Sequence, residues 1–245
     1  MPNPNLPAPG KYRAALRRAL SLTETTKHLE WETVEGGRFD FVAGQFVSMT
    51  RVRDGDEHTR AYSLASAPRA DAGFDLCLNR VPGGLFSNYL CDLAPGAIVD
   101  FSGPHGFFIL RQPIERDLVF IATGTGIAPI RGMLEALFAP GAALDREAWL
   151  LFGVRYRETI LYREEFERLA AREPRFHFVP TLSRAASDWT GERGHVQEQL
   201  RARFAGRRDF DAYVCGLKAM VDDVRKILKE GFGLDRRQIH YEKYD

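Results

Sequence analysis

Cysteine is scarce in this chain: three in 245 residues, Cys77, Cys91 and Cys215, all far apart. They cannot build a disulfide framework, and no pair has the close spacing of a zinc or iron–sulfur site. A four-cysteine cluster is excluded by count, so single electrons would need an organic cofactor or another protein. Neither sign of charge is in excess: 34 Lys and Arg meet 33 Asp and Glu, a net charge of +1. That balance speaks against a nucleic-acid binder and against a solvating disordered chain. Long apolar runs are missing too. Stretches such as Leu118 to Ala122 fall far short of the roughly 20 residues needed to span a bilayer. Residues 1–10 are rich in Pro and Asn without an apolar core; they do not read as a secretory signal, and a short disordered tail is expected. What is present is 44% hydrophobic residues over a length sufficient for one large domain or two medium ones. The expectation is a cytoplasmic globular enzyme or binding protein.

The two halves differ in grammar. Up to residue 110, turn signals recur at intervals of roughly 8–12 residues: Glu35-Gly36-Gly37, Ala43-Gly44, Asp54-Gly55-Asp56, Ala72-Gly73, Pro82-Gly83-Gly84, Pro95-Gly96 and Gly103-Pro104. Short runs of β-type composition lie between them, including Phe46–Met49, Phe74–Leu78 and Ile98–Phe101, which suggests an antiparallel barrel or sandwich. Segment 85–93 reads instead as a short amphipathic helix. In 12–22, Tyr12, Leu16 and Leu20 are spaced four apart, and periodicity taken alone predicts a helix. After Gln112 buried strands alternate with helices: strands at Leu118–Ala122, Ala148–Val154, Phe176–Thr181 and Ala212–Cys215, helices through Leu137, at Glu158–Ala171 and at Ala219–Gly231. This pattern predicts a parallel sheet with helices on both faces. The domain boundary is expected at Arg111-Gln112-Pro113, giving domains 1–113 and 114–245.

Three segments carry chemistry. In Ala122-Thr123-Gly124-Thr125-Gly126-Ile127-Ala128-Pro129 a strand ends in a tight glycine turn and a helix begins at Pro129. Free N–H groups and the helix dipole suit a diphosphate there, although such a turn is also an ordinary strand-to-helix connection. In Arg60-Ala61-Tyr62-Ser63-Leu64, a strand puts Arg60 and Tyr62 on one face and Ser63 on the other. The Arg suits a diphosphate, the ring a planar heterocycle, and the hydroxyl a ring nitrogen; a barrel-core Tyr is the plainer alternative. Gly83-Gly84-Leu85-Phe86-Ser87 opens the short helix with a second anion-binding turn, or simply a hairpin turn followed by a Ser cap.

In combination and in this order, these segments resemble the ferredoxin–NADP reductase superfamily. SNYLCDLAPG (87–96), TGTGIAPIRGML (123–134), LYREEFERL (161–169) and YVCGLKAMVDD (213–223) extend the likeness over roughly residues 11–245. The resemblance implies an antiparallel FAD-binding β-barrel followed by a parallel-sheet α/β nucleotide-binding domain, with the flavin ring at the junction. It also implies a barrel strand at 12–22, against the helical periodicity.

By resemblance, Arg60 holds the FAD diphosphate, Tyr62 stacks on the isoalloxazine, Ser63 bonds flavin N5, and Cys77 and Leu78 line the flavin. Leu85, Phe86 and Ser87 supply the second diphosphate contact. Gly124, Thr125 and Gly126 form the nucleotide turn, with Thr125 touching both flavin and nucleotide. Family members often stack a loop aromatic on the FAD adenine, whereas the 80–84 loop here has none. Cys215-Gly216-Leu217 matches the element whose Cys meets the nicotinamide, although a small buried thiol at a strand end is common; Cys91 reads as structural. Glu242 and Tyr244 match a Glu-x-Tyr sequence in which the Glu takes part in proton transfer through its partner Ser and the Tyr covers the flavin. Ser63, Cys215, Glu242 and Tyr244 are thus the expected catalytic set, and no metal site is expected.

For the 2′-phosphate of NADP(H), Ser183 and Arg184 match the family pair, while Arg193 and His195 stand where Lys and Tyr would be. The pattern Trp189-x-Gly191-x-x-Gly194-x-Val196 resembles NADH-using oxygenase reductases, so NAD(H) stays open. The expected protein is an FAD-dependent monomer that passes electrons between NADP(H) and a ferredoxin, a flavodoxin or another iron–sulfur protein, with no nucleic acid or membrane span. The alternatives are the NADH-oxidising reductase component of a multicomponent oxygenase and a non-catalytic flavin electron-transfer subunit.

Overall fold

A computed structural model describes residues 6–71 and 73–244. Their contacts divide the chain into two compact units. One runs to Leu110 and includes Arg131–Ala139; the other comprises Arg111–Ile130 and the chain from Pro140.

The first unit contains β1 (Gly10–Ser21), β2 (Thr26–Glu35), β3 (Phe46–Arg53), β4 (Asp56–Ser63), β5 (Gly73–Asn79), α1 (Leu85–Asp92) and β6 (Ile98–His105). The strands form one antiparallel sheet in the order β4-β3-β6-β1-β2-β5, and a bridge between Leu64 and Leu76 joins its two ends into a barrel. The core is aromatic. Trp31 and Phe74 are fully buried, and Phe39 packs edge-on against Tyr12, Phe74 and Phe101 at 5.1–5.4 Å. Segment 12–22 is strand, correcting the helical periodicity. A spacing of four is even, so it satisfies a period of two as well as one near 3.6, and cross-strand pairing with β2 and β6 settles the choice. Of the expected tail, residues 1–5 lie outside the described residues and Gly10 already opens β1.

Where β4 ends, the chain is fastened by a buried polar cluster. Asp75 is 3% exposed; Arg69 Nη1 donates to its Oδ1 at 2.8 Å, and Arg131 Nη1 lies 3.4 Å from Oδ2. Arg131 also donates to the Ala65 carbonyl at 2.6 Å, and the Ala67 N–H donates to Glu135 at 2.8 Å. His28, 5% exposed, has Nε2 3.6 Å from Asp75.

The second unit contains β7 (Asp117–Thr123), the start of α2 (Ile127–Leu137), β8 (Ala148–Val154), α3 (Arg163–Arg172), β9 (Phe176–Leu182), β10 (Glu192–Arg193), α4 (Val196–Phe204), β11 (Phe210–Leu217), α5 (Lys218–Lys226) and β12 (Ile239–Tyr244). Its parallel sheet has the order β10-β9-β8-β7-β11-β12. Three helix boundaries differ from expectation. A single 3-10 turn, Gly124–Gly126, leads into α2, which starts two residues before Pro129. The helix expected from Glu158 starts only at Arg163, because Tyr162 takes a left-handed φ of 55°. The last helix ends at Lys226 and continues as a π-turn, Ile227–Gly231. No described helix is long and apolar enough to cross a membrane.

Two histidines, His28 buried and His240 half-buried, should make the fold acid-sensitive. Burial is the main force pushing His28 down to about 4, with Arg131, Arg69 and Arg18 adding and Asp75 opposing. His240 is pushed to about 4 by burial and by Arg111. Both are neutral in the fold, whereas an unfolded histidine takes up its proton near 6.5. The unfolded state therefore binds more protons between pH 6.5 and 4, and stability should fall as pH drops through that window. The slope is up to about 1.4 kcal/mol per pH unit for His28. Urea denaturation between pH 4.5 and 7 should give a shallower slope for His28→Gln; identical slopes would refute the assignment.

Candidate functional site

The expected site residues fall in both units. In the first, β3 and β4 pair so that Val47 lies opposite Tyr62 and Met49 opposite Arg60. Arg60 is exposed, and its Nη1 donates to the neighbouring Thr59 carbonyl at 2.8 Å. Tyr62 is half-buried with its ring centroid 6.1 Å from Phe86, and burial pushes its hydroxyl up to about 12. It therefore acts as a neutral ring. Ser63 is buried at the strand end, and Cys77 and Leu78 are buried on β5.

α1 begins at Gly84 with no side-chain cap and no acidic residue in its first turn. The first helical bond runs from the Asn88 N–H to the Gly84 carbonyl at 3.2 Å, so the N–H groups of Leu85, Phe86 and Ser87 precede it. Ser87 Oγ accepts from the Val81 N–H at 3.1 Å, which fixes the loop and leaves its own proton for donation. A Cβ on Gly84 would meet Ser87 Oγ at 2.7 Å, so a side chain there would fill this cradle. Backbone N–H groups and a guanidinium form a donor set of the kind that holds a diphosphate.

In the second unit the glycine turn and the Cys215 strand lock together. A Cβ on Gly126 would lie 2.4 Å from the Cys215 carbonyl oxygen, and one on Gly216 would lie 2.4 Å from Thr123 Oγ1. Only glycine allows both approaches. Thr123 Oγ1 is itself buried without a hydrogen-bond partner among the described residues. Thr125 is half-buried, Gly124 takes a φ of 54°, and a Cβ there would meet open space. Such a cradle at the carboxyl ends of parallel strands fits a dinucleotide.

Cys215 pairs in register with Glu242 and Leu217 with Tyr244. The Cys215 thiol is fully buried; burial first, then Glu242, push it well above its ordinary value, against a hydrogen bond from Tyr244. Cys215 therefore stays a neutral thiol. Three of the four expected catalytic residues thus come together within this unit, at the exposed Leu217 end of the sheet.

The expected 2′-phosphate residues split. The Ser183 and Arg184 N–H groups donate to the Val154 and Arg155 carbonyls at 3.0 and 2.9 Å, and Arg184 Nη1 donates to Tyr156 Oη at 3.2 Å. Arg193 turns away: its guanidinium donates to the carbonyls of Ala185, Ala186, Ser187 and Trp189 at 3.3, 2.9, 3.3 and 2.7 Å. His195 is exposed at the start of α4. Sequence reasoning missed Arg155, Tyr156 and Arg157, exposed residues following β8. The available signal was a basic run at the carboxyl end of a buried strand.

Residues 14–109 match the oxidoreductase FAD-binding domain family, and residues 120–226 match the oxidoreductase NAD-binding domain family. The chain is 40% identical over 240 residues to ferredoxin–NADP reductase B of Sorangium cellulosum, covering 96% of this chain and 98% of that one. It is 30% identical over 234 residues to the toluate 1,2-dioxygenase electron transfer component of Pseudomonas putida, covering 95% and 67%. The crystal structure of the cytochrome P450 reductase GcoB of Amycolatopsis superposes with a TM-score of 0.85 at 29% identity, covering 96% and 70%. With its barrel, its glycine-locked nucleotide turn and this likeness along its whole length, the chain belongs to the ferredoxin–NADP reductase family.

Proposed function

We propose that this chain passes electrons between NADP(H) and a ferredoxin or flavodoxin through FAD, the barrel half (1–113) carrying the flavin and the remainder (114–245) the nucleotide. The observation that carries this reading is the grouping of Cys215, Glu242 and Tyr244 around the Gly126–Gly216 contact. FAD, when bound, exchanges hydride with nicotinamide and single electrons with a carrier protein. The protein supplies alignment. Arg60 and the first turn of α1 grip the diphosphate, Tyr62 offers a neutral face to the flavin, and Ser63 offers a hydroxyl to its ring nitrogen. Cys215, held protonated by burial, packs against the nicotinamide without competing as a nucleophile, and Glu242 moves protons at the same strand end. The three free thiols suit a cytoplasmic setting.

For nucleotide choice, Arg184 with Ser183 grips the 2′-phosphate beside Tyr156, and Arg193 fastens the loop in place of direct contact. The pattern Trp189-x-Gly191-x-x-Gly194 has a packing explanation. A Cβ on Gly191 would lie 2.5 Å from the Trp189 ring, and one on Gly194 2.4 Å from the Glu198 carboxylate. Packing therefore accounts for these glycines, and NADH stays the alternative nucleotide.

Anaerobic titration with NADPH and NADH, following flavin bleaching, tests the reading. NADPH should bleach the flavin at the lower concentration. A clear preference for NADH would move the oxygenase-reductase reading to first place. Arg184→Ala should lower kcat/KM for NADPH about tenfold, the factor for a lost contact of about 1.4 kcal/mol, and leave NADH rates unchanged. Equal losses with both nucleotides would refute a phosphate role.

A further inference from the structure

FAD carries an adenine beyond its diphosphate, and loop 80–84 has no aromatic residue to stack on it. The β3–β4 hairpin offers a different surface. Its register pairs Val47 with Tyr62, Met49 with Arg60 and Arg51 with His58. Directly paired residues share a face; Val47 and Met49 root it in the core, while exposed Arg60 and half-buried Tyr62, His58 and Arg51 carry it out to solvent. Tyr62, Arg60 and His58 therefore follow one another along it, each step of two residues advancing about 6.7 Å toward the hairpin tip. FAD has the same order: ring, diphosphate, adenosine. With the ring on Tyr62 and the diphosphate on Arg60, the adenosine reaches Arg51 and His58.

What stands there suits a purine. The Arg51 guanidinium carbon lies 4.1 Å from the centroid of the Tyr89 ring. Tyr89 is on α1, one turn beyond the N–H groups assigned to the diphosphate, and packs edge-on against Phe86 at 5.9 Å. Arg53, two residues along the strand, pairs with Asp54 at 3.3 Å, whereas among the described residues Arg51 pairs with no carboxylate. Arg51, His58 and Tyr89 are all half-buried. A guanidinium with one face on an aromatic ring can present the other to a second π-system.

We infer that the adenine of FAD stacks on the Arg51 guanidinium, backed by Tyr89 and flanked by His58. The inference rests on the reading that the barrel binds FAD. FMN has the ring and one phosphate but no adenylate, so it separates the two. The full chain, freed of flavin, is titrated with FAD and with FMN by flavin fluorescence. Arg51→Ala should weaken FAD about tenfold and leave FMN within about twofold, the scale of one lost base-stacking contact. Arg51→Lys keeps the charge but loses the plane, and should weaken FAD nearly as much. His58→Ala should weaken FAD a few-fold, again without affecting FMN. Recovery of wild-type FAD affinity in Arg51→Lys would show a plain charge contact and overturn the stack. Equal losses for FAD and FMN, or no loss for either, would also overturn it. A wild type that binds neither flavin would instead defeat the proposed function.

Discussion

Asp75→Ala should destabilise the first unit by about 3 kcal/mol, the low end of the range for breaking a buried ion pair from one side. The reason is what remains after the carboxylate is gone. Arg131, with a side chain 12% exposed, would keep its pair with Glu135 at 2.8 Å but lose the second carboxylate that it now shares with Arg69 and the buried His28. Arg69, 35% exposed, can turn toward water, so Arg69→Ala should cost much less. Asp75→Asn, which keeps the acceptor but not the charge, should fall between. Urea denaturation measures all three, and the Asp75→Ala loss corresponds to a fall in Tm of roughly 10 °C for a chain of this size. A loss below about 1 kcal/mol would show that water or rearrangement replaces the carboxylate.

Arg60→Ala should raise the Kd for FAD by about 10- to 100-fold, which corresponds to a charge-assisted contact of about 1.5–3 kcal/mol. The side chain is exposed and, among the described residues, bonds a neighbouring carbonyl alone, so thermal stability without flavin should not change. FMN should weaken as well, because its phosphate occupies the start of the same site. Raised salt should weaken FAD less in the variant than in the wild type. Unchanged FAD and FMN affinities would show that the α1 turn holds the diphosphate without a cation.

Legibility varied along the chain for physical reasons. The buried parallel strands and the glycine turn were plain, because continuous apolar runs and glycine at close approaches leave little choice. The barrel was harder. β1 carried a spacing compatible with two periods, and β2 hid its alternation behind Glu30 and Glu32, which face outward opposite Arg18 and Arg17. β12 escaped notice because Ile239–Tyr244 has no apolar run and is paired on one side only. In the site, residue types showed which chemistry was available but not where side chains turn. Arg193 and Arg184 look alike in sequence, yet one is spent on carbonyls and the other bonds a tyrosine. The role of Arg51 lay beyond reach because a cross-strand register, not a motif, aligns it with Arg60.

The fastening of residues 185–189 by Arg193 bears on how this enzyme could be redesigned. Substituting Arg193 would release four carbonyls at once, and the loop would then explore many conformations before meeting any nucleotide. A library randomised at Arg193 and His195, the positions a motif comparison selects, should therefore be dominated by clones that express poorly or bind both nucleotides weakly. Diversity at Arg155, Tyr156 and Arg184, with Arg193 left untouched, would vary the charge presented to a 2′-phosphate on a scaffold that stays assembled.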